Sequence, residues 1–320
     1  LSWKEFINLG KNYNNKIREN FKGNDVAAIL YSGGTSGYPK GIELTNMNFN
    51  ALAMQSFEAC GCLKEKDKGL AIMPIFHGFG LGICIHTVQY FGGTSILLPQ
   101  FTVKTFGTLI KRYKPNIIAG VPTLYEALLK NPKMKKCNLS FIKCAISGGD
   151  TLSVNLKKKV DKFFQDHGAD IQIREGYGLT ECVTGSCLTP MKYYKEGSIG
   201  IPYPDMYYKI VKPNTDEEVQ YNIDGEIVIS GPTVMKGYLN DQKETNAVLK
   251  RHNDGRVWLY TGDLGYMDKD GFVYFKQRLK RVIVSSGYCL YPQYIENVID
   301  SNPNVLMSCV IGIDHPYKIQ

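Results

Sequence analysis

The stretch at residues 31–41, YSGGTSGYPKG, contains the residue types that hold a phosphate group in a protein. Glycines let the backbone approach an anion with its N–H groups turned inward, while hydroxyls and an ammonium add donors and positive charge. The donors would be Ser32, Gly33, Gly34, Thr35, Ser36, Gly37 and Lys40. The spacing matches neither the Walker A motif nor the dinucleotide-binding fingerprint. Taken alone, the stretch fits either another type of anion-binding loop or a Gly-rich turn capped by small polar residues.

A second group of residues could bind a planar ring and a sugar. At residues 147–150, SGGD, the pair Gly148 and Gly149 permits a flat ligand to lie close to the backbone. At residues 261–263, TGD, an aspartate held on a turn could accept both hydroxyls of a ribose through Asp263. A strand-to-helix turn and a ligand-free Asx turn explain the same two patterns.

A third stretch, EGYGLTE at residues 175–181, could complete a nucleotide site. Tyr177 offers a ring face for stacking, and Thr180 offers a hydroxyl for a phosphate. Glu181 supplies a carboxylate for Mg²⁺, which prefers oxygen ligands and keeps several waters. A turn with a core tyrosine is the alternative explanation of this stretch.

Alternating apolar runs and amphipathic segments predict the elements that position these residues. Strands are predicted at 25–31, 42–44, 69–73, 94–98, 116–120, 142–147 and 171–174, and helices at 46–60, 81–90, 105–113, 122–130 and 153–167. The predicted fold class is α/β, with mainly parallel sheets and covering helices. Ligands of such sheets bind beyond the carboxyl ends of the strands. The stretch at 31–41 would join two strands, so that backbone N–H groups rather than a helix dipole would hold a phosphate.

After residue 189, short alternating segments separated by turn residues predict a β-rich subdomain, followed by the start of a small C-terminal α/β domain. The later strands are predicted at 206–211, 225–230, 257–260, 271–275, 282–285 and 305–313, and the last helix at 292–300. The predicted units are an N-terminal helix and linker (1–24), an α/β core (25–190), the β-rich subdomain (191–279) and a C-terminal part (280–320). The basic stretch QRLKR at 277–281 suits either an interface with a nucleotide or a solvated linker.

Composition excludes several classes of protein. The net charge of +8 is spread along the chain, and its densest run, at 157–162, suits a solvated helix face better than a nucleic-acid or membrane patch. The odd number of cysteines, nine, together with the lack of a secretory signal favours reduced thiols in a cytoplasmic setting, and since none of them forms a CxxC pair, metal ligation by cysteine is not expected. No apolar run reaches membrane-spanning length. We therefore expect no nucleic-acid partner, whereas peripheral membrane association stays open.

Together, five stretches resemble in order and spacing the motifs of the adenylate-forming (AMP-binding) enzymes, which include acyl-CoA synthetases, aryl-CoA ligases, luciferases and peptide-synthetase adenylation domains. The matching stretches are 31–41 (the ATP loop), 147–150, 175–181 (Tyr-Gly-x-Thr-Glu), 261–263 (Thr-Gly-Asp) and 278–287 (the hinge). The resemblance covers nearly the whole chain, from about residue 25 to its end.

The resemblance implies a role for each matched residue. Thr35 and its neighbours would hold the β- and γ-phosphates of ATP, and Lys40 would assist catalysis. Gly148, Gly149 and Tyr177 would surround adenine, within a nucleotide-binding set that also includes Glu175, Gly176 and Gly178. Thr180 would meet the α-phosphate, and Glu181 would bind Mg²⁺. Asp263 and Arg278 would hold the ribose, and Lys280 would lie at the hinge.

The implied reaction uses ATP, Mg²⁺ and coenzyme A to convert a small-molecule carboxylic acid into acyl-AMP and then into a thioester. The stretch PIFHGFG at 74–80 resembles the region beside the family's acyl pocket, so the expected pocket residues are His77, Phe79, Gly80 and Val183. No aspartate occurs between residues 73 and 100 to pair an amino-acid ammonium, which favours a medium- or long-chain fatty acid. The alternatives are an inactive nucleotide-binding remnant and a ligase that loads an acyl-carrier protein.

Departures from the family pattern affect these expectations. Val284 and Cys289 stand where several relatives carry Lys and Gln, which puts the contacts of those side chains in doubt. The chain begins shortly before the ATP loop and ends before the family's late catalytic lysine. We therefore expect a fragment that adenylates poorly.

The position of Lys40 in the predicted phosphate loop generates a first prediction. In the protein at the full length that its gene encodes, Lys40→Ala should raise the ATP concentration that gives half of the maximal rate, because an ammonium near the phosphates is lost. The fold should stay intact. ATP titrations of the initial rate, with circular dichroism as the folding control, measure the effect. An unchanged ATP dependence would mean that backbone N–H groups and hydroxyls hold the phosphates without Lys40.

Overall fold

The predicted phosphate loop lies between two paired strands. The computed structural model describes residues 2–12, 20–33, 39–98, 102–285, 288–300, 302, 305 and 308–313. In it, strands β1 (Val26–Gly33) and β2 (Pro39–Thr45) pair antiparallel, with Ser32 opposite Lys40. The prediction that the loop joins two strands is therefore confirmed. Residues 34–38, at its tip, lie outside the described residues.

A seven-stranded sheet with helices forms the first part of the fold. The helices are α1 (Trp3–Leu9), α2 (Asn46–Cys60), a π-helix (Phe79–Thr87) that continues into α3 (Val88–Tyr90), α4 (Val103–Tyr113), α5 (Pro122–Lys130) and α6 (Val154–Asp166). The strands are β3 (Lys68–Ala71), β4 (Thr94–Leu97), β5 (Ile117–Gly120), β6 (Cys144–Ser147), β7 (Ile173–Tyr177), β8 (Cys187–Leu188) and β9 (Ile201–Pro202). Their order is β4-β3-β5-β6-β7-β8-β9, with the first four pairs parallel and the last two antiparallel. The predicted α/β class is confirmed.

Helices cover both faces of this sheet, as the alternation of side chains along its central strands requires. Ile118 and Ala145 enter one apolar core, which α4, α5 and α6 complete. Their neighbours Ile117 and Cys144 enter a second core, to which α2 and the π-helix contribute. Strands that are buried on both faces read as continuous apolar runs, and this explains why the sequence pattern located them.

The second part of the fold is mainly antiparallel. Its elements are β10 (Tyr207–Val211), β11 (Gly225–Ser230), β12 (Gly237–Tyr238), α7 (Gln242–Val248), β13 (Leu249–Arg251), β14 (Val257–Met267) and β15 (Val273–Arg278). The strand order in its sheet is β10-β11-β14-β13. Strand β15 pairs with the end of β14 that β13 does not reach. Strand β12 pairs instead with β2, so the loop hairpin and the β-rich part share a sheet.

The last described elements are β16 (Ile283–Ser285), β17 (Tyr288–Leu290) and α8 (Pro292–Asp300). The prediction of a strand at 305–313 is wrong for the residues of this range that the structure describes, 305 and 308–313, because they form no strand. The division of the chain into domains stays a prediction. Within the described ranges, no helix combines the length and the apolarity that are needed to cross a membrane.

Three of the boundaries that differ from the prediction lie at or near the candidate site. The helix predicted at 81–90 begins at Phe79 and has π geometry over its first nine residues. Strand β7 continues through Tyr177, so residues 175–177 form the end of a strand rather than a turn after it. Residues 261–263, predicted on a turn, form a bulge within β14, where Gly262 has a φ of 70°. A short apolar run in the sequence indicates that a strand is present more reliably than it indicates where the strand ends.

Arg174 ties β7 to the carboxyl end of α2. It is 3% exposed, and its guanidinium donates to the carbonyls of Thr189 at 2.6 Å, Cys60 at 3.0 Å and Ala59 at 2.6 Å. The last carbonyls of a helix have no partner within the helix. A buried cation therefore satisfies them and aligns α2 with the strand that carries the candidate site.

The replacement Arg174→Ala should lower the free energy of unfolding by roughly 3 kcal/mol or more, because hydrogen bonds from a charged donor are lost and buried carbonyls are left without partners. Urea denaturation measures this change. Arg112→Ala, on the exposed face of α4, is the matched control and should stay within about 0.5 kcal/mol of the wild type. Equal effects of the two replacements would contradict the proposed role of Arg174.

Candidate active site

A cavity of about 830 Å³ opens where the carboxyl ends of β6 and β7 meet the loop hairpin and the β-rich part. It brings together most of the predicted site residues. Those that line it are Ser32, Lys40, His77, Phe79, Gly148, Gly149, Gly176, Tyr177, Gly178, Thr180, Glu181, Arg278 and Lys280. Gly33 ends β1 at the edge of the loop, whereas Gly34, Thr35, Ser36 and Gly37 lie outside the described residues.

One wall of the cavity consists of backbone. A Cβ atom on Gly148 would lie 3.1 Å from the carbonyl oxygen of Gly176, and one on Gly178 would overlap the carbonyl of Thr184. Gly149 has a φ of 79°, which disfavours any residue with a side chain. These glycines leave this part of the cavity lining without side chains.

The turn after β7 carries Thr180 and Glu181 into the cavity in a strained conformation. Val183 and Thr184 have positive φ angles of 55° and 87°, which are unfavourable for β-branched residues. The turn is held by hydrogen bonds from the Val183 N–H to the Thr180 carbonyl and from the Thr184 N–H to the Leu179 carbonyl. Strain of this kind is typical of functional sites, where the surrounding structure imposes it.

The carboxylate of Glu181 and the ammonium of Lys40 are both held by residues of the β-rich part. The Tyr238 hydroxyl donates to Glu181 Oε1 at 2.9 Å. Lys40 forms an ion pair with Glu244, and its Nζ lies 4.9 Å from the centre of the Tyr238 ring. The negative charge of Glu181 thus lies beside the hydroxyl of Tyr238, and the positive charge of Lys40 lies beside its ring. This arrangement suits a site that binds a phosphate together with its metal ion.

The predicted ribose ligand Asp263 does not line the cavity. It is 1% exposed, and its carboxylate accepts a hydrogen bond from the Tyr177 hydroxyl at 2.6 Å and pairs with Arg278 Nε at 2.8 Å. Burial raises the pKa of Asp263, against the opposing effects of Arg278 and Tyr177. The bulge in β14 places this side chain behind Tyr177, so Tyr177 and Arg278, and not Asp263, line the cavity.

Glu175, predicted in the nucleotide-binding set, is buried beside the cavity instead of lining it. Its Oε1 accepts a hydrogen bond from the Leu152 N–H at 3.0 Å. Burial raises the pKa of Glu175 to about 7. The contact fixes the segment between β6 and α6, and with it the positions of Gly148 and Gly149.

Part of the cavity lining is apolar. The Nδ1 atom of His77 accepts a hydrogen bond from the Phe79 N–H at 3.1 Å, and burial lowers the pKa of His77. Because Nδ1 accepts a hydrogen bond, the proton of the neutral imidazole lies on Nε2. The apolar side chains in this part of the lining are Phe79, Ile83, Ile146, Cys187 and Tyr203.

Two of the four predicted pocket residues pack elsewhere. A Cβ on Gly80 would overlap the carbonyl of Pro74, so this glycine serves the tight start of the π-helix. Val183 is fully buried in the strained turn. Ile83, Cys187 and Tyr203 line the cavity instead, and no pattern in the sequence set them apart from other core residues.

The sequence reasoning also missed Glu226, Tyr238 and Glu244, which line the cavity from the β-rich part. Tyr238 lies on a two-residue strand, which is too short for a periodicity signal. Glu244 had a usable signal, because Asp241 followed three residues later by a glutamate is typical of a helix start. In the structure, the Asp241 side chain does accept from the Glu244 N–H, at 3.0 Å.

The donors present fit a nucleotide with its metal ion better than a metal held by protein alone. Among the described residues, no group of three or more His, Cys, Asp or Glu side chains could hold a metal ion. Mg²⁺ commonly binds one or two carboxylates together with substrate phosphates and water. Glu181 is the carboxylate that would serve in this way.

Comparisons with known proteins agree with this site. A family model described as AMP-binding enzyme matches residues 2–239. A long-chain-fatty-acid–CoA ligase of Bacillus subtilis is 37% identical over 303 residues, which are 92% of this chain and 51% of that protein. A probable 4-coumarate–CoA ligase 1 of Dictyostelium discoideum is 34% identical over 291 residues, 90% of this chain and 51% of that protein.

Solved structures are similar as well. The o-succinylbenzoate coenzyme A synthetase of Bacillus subtilis, in complex with ATP and magnesium ion, has a TM-score of 0.83 and 29% identity, over 98% of this chain and 63% of that one. The chain spans about half the length of the curated relatives that it matches.

The burial of Glu175 generates a prediction about pH. Its pKa is about 7 in the folded chain, against 4.5 for the side chain in water. The stability that the protonated carboxyl contributes is full below pH 4.5 and is lost as the pH rises through 7. Between pH 5 and 8, the free energy of unfolding should fall by up to about 3 kcal/mol more in the wild type than in Glu175→Gln.

Urea denaturation at both pH values measures this difference, and the glutamine keeps an oxygen for the Leu152 N–H. Glu196→Gln changes an exposed carboxylate and should keep the wild-type pH profile. The same fall in stability for the wild type and Glu175→Gln would show that Glu175 does not carry the effect.

Proposed function

The chain belongs to the AMP-binding enzyme family, and on this premise we propose that the protein activates a carboxylic acid with ATP and transfers the acyl group to coenzyme A. The observation that carries the proposal is the composition of a single cavity. A backbone wall, a lysine ammonium and a carboxylate line one end of it, and apolar side chains line another wall. Its volume of about 830 Å³ lies within the range of small-molecule sites.

In the first step, a carboxylate oxygen of the acid attacks the α-phosphorus of ATP. A bond forms between that oxygen and phosphorus, the bond from phosphorus to the bridging oxygen breaks, and pyrophosphate leaves. Lys40 would neutralise charge on the phosphates, and Thr180 would donate to the α-phosphate. Bound Mg²⁺, with Glu181 as its protein ligand, would stabilise the negative charge of the leaving group.

In the second step, the thiol of coenzyme A loses its proton to water and attacks the acyl carbon, a carbon–sulfur bond forms, and AMP leaves with the electron pair of the broken carbon–oxygen bond. The side chains that line the cavity need not form a covalent intermediate. Their work is to orient the reactants and to exclude water from a reactive anhydride. Lys280, in the short helical turn between β15 and β16, is our proposed hinge for the segment that follows it.

For the acid, we propose a medium- or long-chain fatty acid. The wall formed by Phe79, Ile83 and Cys187 is apolar and offers no charged partner for an ammonium. The similarity to a long-chain-fatty-acid–CoA ligase supports this choice. Similarity to relatives named for coumarate and o-succinylbenzoate makes an aromatic acid the competing substrate class.

A substrate panel tests the proposal. The protein, at the full length that its gene encodes, would be given ATP, Mg²⁺ and coenzyme A with octanoate, palmitate, 4-coumarate, o-succinylbenzoate or an amino acid. AMP release and thioester formation are measured together. We expect the highest kcat/KM with a fatty acid. Use of the aromatic acids alone would refute the fatty-acid proposal, and the absence of AMP release with every acid would refute the reaction itself.

A further inference from the structure

A short main-chain connection fixes part of the β-rich unit against the phosphate loop. In β12, Gly237 lies opposite Glu43 and Tyr238 opposite Ile42 of β2. The Leu239 N–H then donates to the carbonyl of Gly41 at 2.7 Å. Because Lys40 precedes Gly41 directly, this register places Tyr238 beside the lysine at the base of the loop.

The Tyr238 side chain contacts both charged groups of the site. Its hydroxyl donates to Glu181 Oε1 at 2.9 Å, and Lys40 Nζ lies 4.9 Å from its ring centre. The residue is 8% exposed, so its ring cannot move freely. A cation beside the face of an aromatic ring is attracted by the negative potential of that face. One rigid ring therefore sets the distance between the carboxylate and the ammonium.

Glu244 holds the same ammonium from the first turn of α7. The position of this turn is fixed by two contacts, from the Glu244 N–H to Asp241 Oδ1 at 3.0 Å and from the Tyr238 N–H to Thr245 Oγ1 at 2.8 Å. The Lys40 side chain is 22% exposed and the Glu244 side chain 41%. An ammonium has three donors. One bond to Glu244 leaves two for phosphate oxygens.

We propose that Tyr238 and Glu244 are positioning residues that orient Glu181 and Lys40 toward the phosphates of a nucleotide. The inference rests on the proposed function, because it requires that ATP bind in this cavity. Lysine has a flexible four-carbon side chain, so a lysine that is already oriented loses less conformational entropy when a phosphate binds. The negative charge of Glu244 is balanced by the ammonium of Lys40, which contacts it directly. The Glu244 carboxylate therefore repels the phosphates less strongly.

A double-mutant cycle of Lys40→Ala and Glu244→Ala tests the role of Glu244. The dissociation constants of ATP and AMP are measured by calorimetry at saturating Mg²⁺, on the protein at its full encoded length. Glu244→Ala should weaken ATP binding about fivefold, the scale of a partly exposed ion pair. AMP binding should not change, because AMP lacks the two outer phosphates. Retained AMP binding also shows that the variant is folded.

In the Lys40→Ala background, Glu244→Ala should have no further effect on ATP, because Glu244 acts through Lys40. Glu196→Ala, which breaks an exposed ion pair with Lys158, is the matched control. Unchanged or tighter ATP binding by Glu244→Ala would overturn the inference, and so would fully additive effects of the two replacements.

Tyr238→Phe tests the second contact, because it keeps the ring and removes the hydroxyl. The Mg²⁺ concentration for half-maximal ATP binding should rise about tenfold or more, the effect of one lost hydrogen bond to a charged group. AMP binding without Mg²⁺ should stay the same. Tyr207→Phe, at a residue that does not line the cavity, is the control.

An identical Mg²⁺ dependence in the wild type and Tyr238→Phe would overturn the role of Tyr238. The failure of the proposed function would look different. A wild-type protein that binds neither ATP nor AMP contradicts the nucleotide site itself, whereas nucleotide binding that no variant alters contradicts the positioning roles alone.

Discussion

The pairing of β12 with β2 is the constraint on which the candidate site depends. It uses backbone hydrogen bonds, including those from the Lys236 N–H to the Glu43 carbonyl and from the Leu239 N–H to the Gly41 carbonyl. One further bond, from the Met235 N–H to the carbonyl of Glu181, joins the same segment to the turn after β7. Segments that are far apart in the sequence thus meet through backbone geometry, and the side chains that could contact phosphates are placed by that geometry.

Buried charge organises the adjoining part of the site. Asp263 is enclosed, and Tyr177 and Arg278 supply partners for its carboxylate. A buried carboxylate without partners would be costly, and the loss of one partner of a buried pair is strongly destabilising. The aspartate therefore contributes by holding the tyrosine and the arginine against the cavity. A residue that a sequence motif assigns to a ligand contact can thus act from behind the residues that line the site.

The sequence predicted the α/β fold because buried parallel strands and amphipathic helices leave strong periodic signals, as β5 and α6 illustrate. It also predicted many of the glycines and polar residues that line the cavity, since the carboxyl ends of parallel strands meet at one edge, although the predicted residues Gly80, Glu175 and Asp263 do not line it. It could not predict β12, whose two residues carry no periodicity, or the partnership of Lys40 with Glu244. Such contacts follow from the register between distant strands, which side-chain patterns along one segment do not encode.

The two walls of the cavity differ in how freely they can change. The wall that faces a nucleotide is made of glycine backbone, where an added Cβ at Gly148 or Gly178 would meet a neighbouring carbonyl. The other wall is made of side chains such as Ile83 and Cys187, whose volumes can change while the backbone keeps its path. A fold of this kind can keep one nucleotide site while it accepts different acids. This is consistent with the similarity of this chain to ligases named for fatty acids, coumarate and o-succinylbenzoate.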